Sequence, residues 1–515
     1  MLRAASLAAL ALLAAIVVAC GGGAAAGEAD PATAVPADAL VYVEAVVRPE
    51  GDLQEDAEAA ASKVLRTDDP GAKIRELVDK ALPESGVAGI TYDRDIKPWL
   101  GQRIGFWMAA QGETGLGLVA VTDPEAAIDA VHKGQAAEGV KTTKRSYGGV
   151  DYELNDNGEA VGIVGDFLAF GYEADFKRTV DAQKGDSLAE SDRYRDGLDD
   201  LDDGRLGHFY LDLKRLIPIL MREEPDGEEQ LRQLQALIPL DKLPPFFGAF
   251  MANGDRLSID MVIKGVGSNA LGALGNFAGG GETPLMKELP GESWAAFGAP
   301  KYGQQLKAAF GQYAGLFGGE AAKQQLKNQF GIDIEEDVLS WIGDVALFVR
   351  GDTIDSIDGG VVIQVTDEAK AEKGFAKLVG LLQSFGGVSA RPLKIEGAET
   401  AFAVQDASTA KPIVLARGAN KVVVSYGEDA AVDALSPSSK LGDAEIYDQA
   451  KDVLDDLEPS LLVSMPAIIK VVDATGAADA DFEKARPYLE AYDVIALGYE
   501  GNGNGGRVRL AAGLK

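Results

Sequence analysis

The feature that most limits what this chain can fold into is that it repeats itself. Residues 89–101 read GITYDRDIKPWLG, and residues 331–343 read GIDIEEDVLSWIG. Gly89/Gly331, Ile90/Ile332, Asp95/Asp337, Trp99/Trp341 and Gly101/Gly343 all stand at one offset of 242 positions (341 less 99). With only four tryptophans in 515 residues, a pair in register points to a copied unit rather than to composition. The likeness extends outward with small insertions. VAVTD at 119–123 answers IQVTD at 363–367, and Leu188 and Tyr194 answer Leu441 and Tyr447. Upstream, Pro36-Ala-Asp-Ala-Leu-Val-Tyr-Val answers Pro290-Gly-Glu-Ser-Trp-Ala-Ala-Phe. The expectation is a tandem duplication, with units at 37–265 and 285–515 and a Gly-rich junction at 266–284.

Each half reads in the same order. An opening strand (Leu40–Val47) precedes two amphipathic helices, near Leu53–Leu65 and Ala72–Leu82 in the first half. Tyr302–Leu316 and Glu320–Phe330 are their counterparts in the second. A hairpin follows (Ile104–Ala110 with Gly115–Thr122), then a helix from Pro124. A short meander comes next (Val150–Leu154, Ala160–Val164, Phe167–Tyr172), with the turn-forming pair Asn157-Gly158 inside it. A helix at Glu228–Leu237 and a closing hairpin end the unit. Hairpins outnumber strand-helix-strand crossovers, so the expected class is α+β: two tandem homologous units, each a mostly antiparallel sheet with helices packed on it. A parallel doubly wound sheet is the alternative.

The shared Asp-x-x-x-Trp-(Leu/Ile)-Gly element has a structural reading. Asp95 and Asp337 cap a one-turn helix, Trp99 and Trp341 bury in the core, and Gly101 and Gly343 permit a sharp exit into the next strand. A recognition role for the tryptophans is the rival reading. The opening Pro-Ala-Asp-x-Leu-Val-Tyr-Val and the Trp-Leu-Gly entry to a strand resemble the DUF3352 family, bacterial proteins of unknown function. That resemblance implies no reaction, cofactor or ligand, and carries over no functional residues.

The first residues read MLRAASLAALALLAAIVVACGGGAAAG. Arg3, an apolar run and the small residues after it have the layout of an export signal. Counted from Ala4 to Ala19, the run is 16 residues, short of the roughly 20 that a membrane-crossing helix needs. Val17-Val18-Ala19-Cys20 is similar to the lipobox of bacterial lipoproteins, in which the cysteine after the cut receives lipid. The expectation is a signal peptide at 1–19, lipidated Cys20, a flexible tether at 20–36, and attachment to the outer side of the cell membrane through two or three acyl chains. An uncleaved membrane helix and a secreted protein cut near Ala24–Ala26 are the alternatives. Cys20 is the only cysteine, so the fold is held by its core rather than by disulfides.

Chemistry is sparse. A formal net charge of −32 excludes nucleic acid as a natural partner, because the surface repels phosphates. His132 and His208 are the only histidines and form no metal-type pair, so both are read as structural. Ser408-Thr-Ala-Lys411 fits a bare Ser-x-x-Lys pattern in a polar loop, and Gly265-Val-Gly267-Ser-Asn-Ala270 imitates a dinucleotide fingerprint without its strand-helix-strand frame. The acidic clusters Asp199, Asp200, Asp202, Asp203 and Asp352, Asp355, Asp358 offer oxygen atoms but lack the spacing of a calcium loop. No catalytic residue, cofactor or metal is nominated. The expected function is a membrane-anchored envelope protein that binds or scaffolds an unidentified ligand or protein, with a lipid-tethered solute receptor or a wall hydrolase as alternatives.

Overall fold

A computed structural model describes residues 29–515, apart from 85–86, 88, 110–114, 223–226, 238–239, 265–282, 314–323, 325–326, 330, 385–389, 406–408 and 503–504. The chain is α+β and divides into two compact units, the first running to Arg232 and resuming over Leu240–Lys264, the second taking most of the chain beyond Lys264.

The strands of the first unit are β1 (Val41–Val46), β2 (Leu100–Met108), β3 (Gly115–Val121), β4 (Thr142–Tyr147), β5 (Val150–Asn155), β6 (Glu159–Val164), β7 (Phe167–Tyr172), β8 (Gly207–Leu211), β9 (Phe246–Asn253) and β10 (Arg256–Lys264). They pair in the order β4-β5-β6-β7-β3-β2-β1-β8-β9-β10, antiparallel throughout. The hairpins seen in the sequence account for the antiparallel ladder, and the parallel alternative falls. Alternation sets the two faces of the sheet. Tyr42, Trp107, Leu116, Leu118 and Phe167 turn one way into the main core, with Phe176 and Val180 of the helix Glu173–Ala182 in the same cluster. Ala45, Ile104, Val121 and Leu168 turn the other way, into a second cluster that includes Trp99 and Ala127.

Residues 31–35, expected in the flexible tether, belong to this core. Asp30 caps a short 3-10 helix, Pro31–Ala34, by accepting the Ala32 N–H at 2.9 Å, and Ala32, Ala34 and Val35 are buried. Gly105 makes the room: a Cβ there would lie 2.8 Å from Pro31 Cβ. Aspartate before proline is a helix-start pattern, and the proline costs nothing at a position whose N–H has no helical partner.

The second unit contains β11 (Ala295–Ala299), β12 (Ile342–Arg350), β13 (Asp358–Val365), β14 (Ala390–Leu393), β15 (Thr400–Val404), β16 (Ile413–Arg417), β17 (Lys421–Tyr426), β18 (Pro459–Ser464), β19 (Tyr492–Asn502) and β20 (Gly505–Leu514). Their order is β14-β15-β16-β17-β13-β12-β11-β18-β19-β20. Ala346, Phe348, Val362, Val423 and Leu462 fill its main core. Of the expected junction, residues 266–282 lie outside the described part. Thr283 is buried and stands at the N-cap of the short helix Pro284–Lys287, so the folded unit takes in the junction's last residues.

Candidate functional site

The two Trp elements form the same local structure. Each begins with a single π-type turn, Tyr92–Ile96 and Ile334–Leu339. The indole N–H returns to the carbonyl oxygen four residues earlier: Trp99 Nε1 to Asp95 O at 2.5 Å, Trp341 Nε1 to Asp337 O at 2.9 Å. Each aspartate reaches back to the N–H that opens its turn, Asp95 Oδ2 to Thr91 N at 2.9 Å and Asp337 Oδ2 to Asp333 N at 2.8 Å. A lysine on the following helix binds each carboxylate at 2.5 Å, Lys133 on Asp95 and Lys377 on Asp337. Arg94 hydrogen-bonds Asp95 as well and, with Lys133, holds that carboxyl well below the usual carboxylate range. Burial pushes Asp337 up, but the hydrogen bond and charge of Lys377 and the Asp333 N–H together outweigh it, and its pKa is lowered.

Two details of the expected element change. The N-cap residues are Thr91 and Asp333, and Asp95 and Asp337 brace the cap rather than being it. Gly101 and Gly343 already lie in strands, where the ladder slips register beside them. A Cβ on Gly101 would sit 2.8 Å from Ala120 Cβ, and one on Gly343 2.9 Å from Thr366 Cγ2, so close strand packing, not a turn, requires glycine there. Both indoles are buried and bonded internally, as the structural reading of the element expects.

His208 belongs to a buried polar cluster that the sequence left unread. It faces Glu44 across the β1–β8 ladder. Tyr42 OH donates to Glu44 Oε2 at 2.7 Å, Arg103 Nη1 donates to Glu44 Oε1 at 3.2 Å, and Tyr194 OH lies 2.6 Å from His208 Nε2. The Asp30 and Glu44 carboxyls lie close enough for each to act on the other's titration. Burial, reinforced for Asp30 by the Glu44 charge, raises both carboxyl pKa values. Burial also drives His208 down to about 3, leaving it neutral. Glu44, Tyr42, Tyr194 and His208 are all buried, so the cluster lies beneath the surface where the Asp30 segment meets the sheet.

The other nominated groups do not converge. His132 is exposed, 2.8 Å from Glu153 Oε1. Asp358 is clamped by Arg350, Nε to Oδ1 at 2.6 Å and Nη2 to Oδ2 at 3.2 Å, and is thereby committed to an ion pair, while Asp352 and Asp355 are exposed on the preceding loop. Asp199 and Asp203 are exposed, and the Asp202 carbonyl accepts from Arg205. Lys411 donates to Ile357 O at 2.8 Å. Cys20, Ser408 and Gly265–Ala270 lie outside the described residues. Among the described residues no group of three or more His, Cys, Asp or Glu side chains is placed to hold a metal ion, and no helix is long and apolar enough to cross a membrane.

What stands out is an apolar surface on the second unit. On the sheet face away from its main core, Phe297, Leu347, Val361, Val424, Leu415 and Phe402 form one register row over β11, β12, β13, β17, β16 and β15. A parallel row on the same strands holds Ala295, Val349, Gly359, Tyr426, Ile413 and Val404. None of the twelve is buried; Leu347 is 41% exposed and Val424 37%. Ile363 and Val422 of the next row inward, and Phe402 and Leu415 of the first row, pack against Trp341, Phe375 and Val379, so the helix Glu368–Ser384 covers that part of the face and the open stretch centres on Leu347 and Val424. A contiguous apolar surface is uncommon on a folded unit, which makes this face the candidate site. The sequence carried a trace of it, since VALFV, VVIQV and KVVVS are apolar on both alternations, as in strands covered on both faces.

The sequence profile of a family described as "Protein of unknown function (DUF3352)" matches residues 2–456. The chain belongs to the DUF3352 family. No curated protein matches this DUF3352 chain. Two crystal structures of TP0453, forms IV and III, are similar over 46% of this chain and 81% and 80% of theirs, at 12% and 13% identity and TM-scores of 0.27 and 0.26.

Proposed function

We propose that this DUF3352 protein is a non-enzymatic binding or scaffolding lipoprotein of the bacterial cell envelope, built from two copies of one ancestral unit, with the open sheet face of the second as its binding surface. The anchor rests on the sequence Val17-Val18-Ala19-Cys20. Duplication is supported by the matching strand orders, the two Trp elements and the equivalent bridges Pro36–Ser187 and Pro290–Lys440. The copies have diverged inside. Where the first has Glu44 facing Gly105, the second has Gly298 facing Ala346, and Thr283 stands at the N-cap that Asp30 occupies in the first.

The observation that carries the binding role is the pair of apolar rows holding Leu347 and Val424. Its test is the full-length chain titrated with a solvatochromic naphthalene dye. A saturable, blue-shifted site that Leu347→Asp and Val424→Asp each abolish, without loss of circular dichroism, is the expected result. Dye binding indifferent to both substitutions would remove the face from the function.

A further inference from the structure

We propose that the helix Leu213–Arg222 of the first unit lies on the membrane surface, its apolar face among the lipid chains and its basic residues at anionic headgroups. This rests on the Cys20 anchor proposed above and adds a second point of contact with the same membrane. At about 3.6 residues per turn, Leu213, Leu216, Ile217, Leu220 and Met221 share one face of the helix, and Lys214, Arg215 and Arg222 the opposite one. A helix docked by its apolar face buries it, as Glu445–Val453 does with Tyr447, Ala450 and Val453. Here none of the ten residues is buried, and Leu220, in the middle of the apolar face, is 50% exposed. The helix is held by its first turn instead. Asp212, just before it, is buried and binds Arg193 at 3.3 Å and Arg215 at 3.5 Å. The Asp212 N–H donates to Leu40 O at 2.7 Å, and Arg215 Nη2 donates to Asp38 O at 3.0 Å.

Position and charge name the occupant. Asp38 and Leu40 belong to the segment by which the chain enters the fold. The residues from Cys20 to Ala29 span at most roughly 30 Å even when fully extended. A lipidated Cys20 therefore keeps this entry segment, and the helix bonded to it, near the bilayer. The helix carries three basic residues and no acidic one, in a chain of 81 acidic and 49 basic residues, and acids resume only at Glu223. Lys214 and Arg222 are exposed. Salt screens exposed charges beyond about 8 Å, so headgroups respond to the cations of the helix rather than to the charge of the whole chain. Ten residues rise about 15 Å, half of what crossing a hydrocarbon core takes. An apolar face backed by a basic one on so short a helix is the pattern of a helix lying in the plane of a bilayer interface.

The experiment uses the full-length lipidated chain, whose Cys20 sulfur is occupied, in vesicles of phosphatidylcholine and phosphatidylglycerol. Leu220→Cys, or Asp156→Cys on an exposed turn of the same unit, carries an environment-sensitive nitrobenzoxadiazole label. A blue shift and several-fold weaker quenching by aqueous iodide are expected at position 220 and not at 156. Lys214→Glu with Arg222→Glu is expected to weaken both effects, as are vesicles of phosphatidylcholine alone; indifference to both changes would overturn the headgroup contact. A label at 220 as open to iodide as that at 156 would overturn the inference and leave the anchor standing. If the chain carries no lipid the anchor falls, and the same two labels on the Cys20→Ala background with added vesicles decide the helix by the same contrast. A concentration-dependent shift without vesicles would make a second copy the occupant and overturn the inference.

Discussion

Glu44 and His208 face each other across neighbouring strands, and pH acts on their surroundings in opposite senses. His208 titrates near 3 in the folded chain against an ordinary value of 6.5, so between those limits the unfolded chain takes up the proton and the folded one does not. Its contribution is complete above 6.5 and is lost as pH falls toward 3, by an amount on the order of 5 kcal/mol at most. Glu44 and Asp30 have raised values, so theirs is complete below the ordinary carboxylate range and is lost as pH rises through the folded values. Urea unfolding across the pH range separates the two. His208→Gln is expected to flatten the acid limb and Glu44→Gln the opposite slope. Curves for both variants parallel to the parent would show that neither group is linked to folding. The histidine's presence was plain in the sequence, but Glu44 lies far from it along the chain and faces it only through strand pairing, and Asp30 is brought near by the helix Pro31–Ala34 packed over Gly105.

Within one helix, Glu368–Ser384, two glycines have different reasons to exist. A Cβ on Gly374 would come 2.7 Å from Trp341 Nε1 and press on Asp337 O, the acceptor of that indole's bond, whereas nothing lies within 4 Å of one on Gly380. Gly380→Ala is therefore expected to stabilise by about 0.5–1 kcal/mol through helix propensity. Gly374→Ala is expected to destabilise by about 1–3 kcal/mol through overpacking. Denaturant midpoints check both; equal shifts would mean the indole packs less tightly against the helix than described. Alternation of apolar residues made most strands of the first unit legible in advance. The edge strand β4, TTKRSY, was not, because it is largely exposed and has no apolar face to alternate. The helix Pro31–Ala34 was legible in principle from Asp30-Pro31, but the surrounding Gly- and Ala-rich composition read as tether. The open face escaped notice because a strand's apolar residues do not say whether their neighbour belongs to the same chain.

For the molecule as a whole, attachment is the property most exposed to test. Cys20→Ala is expected to accumulate unprocessed precursor that takes up no lipid label, and normal labelling of that variant would defeat the proposed anchor. The folded body begins closer to Cys20 than composition indicates, since Asp30 is already bonded into the first unit. Pro31 sits over Gly105 of β2, sixth in an order of ten strands. Any tension arriving through the residues before Ala29 thus enters amidships. It has to shear interior ladders together, where a strand at the rim would peel one hydrogen bond at a time. On the proposed anchor the chain is moored by its keel, and the N-terminal segment is then a mechanical fitting as much as a leash.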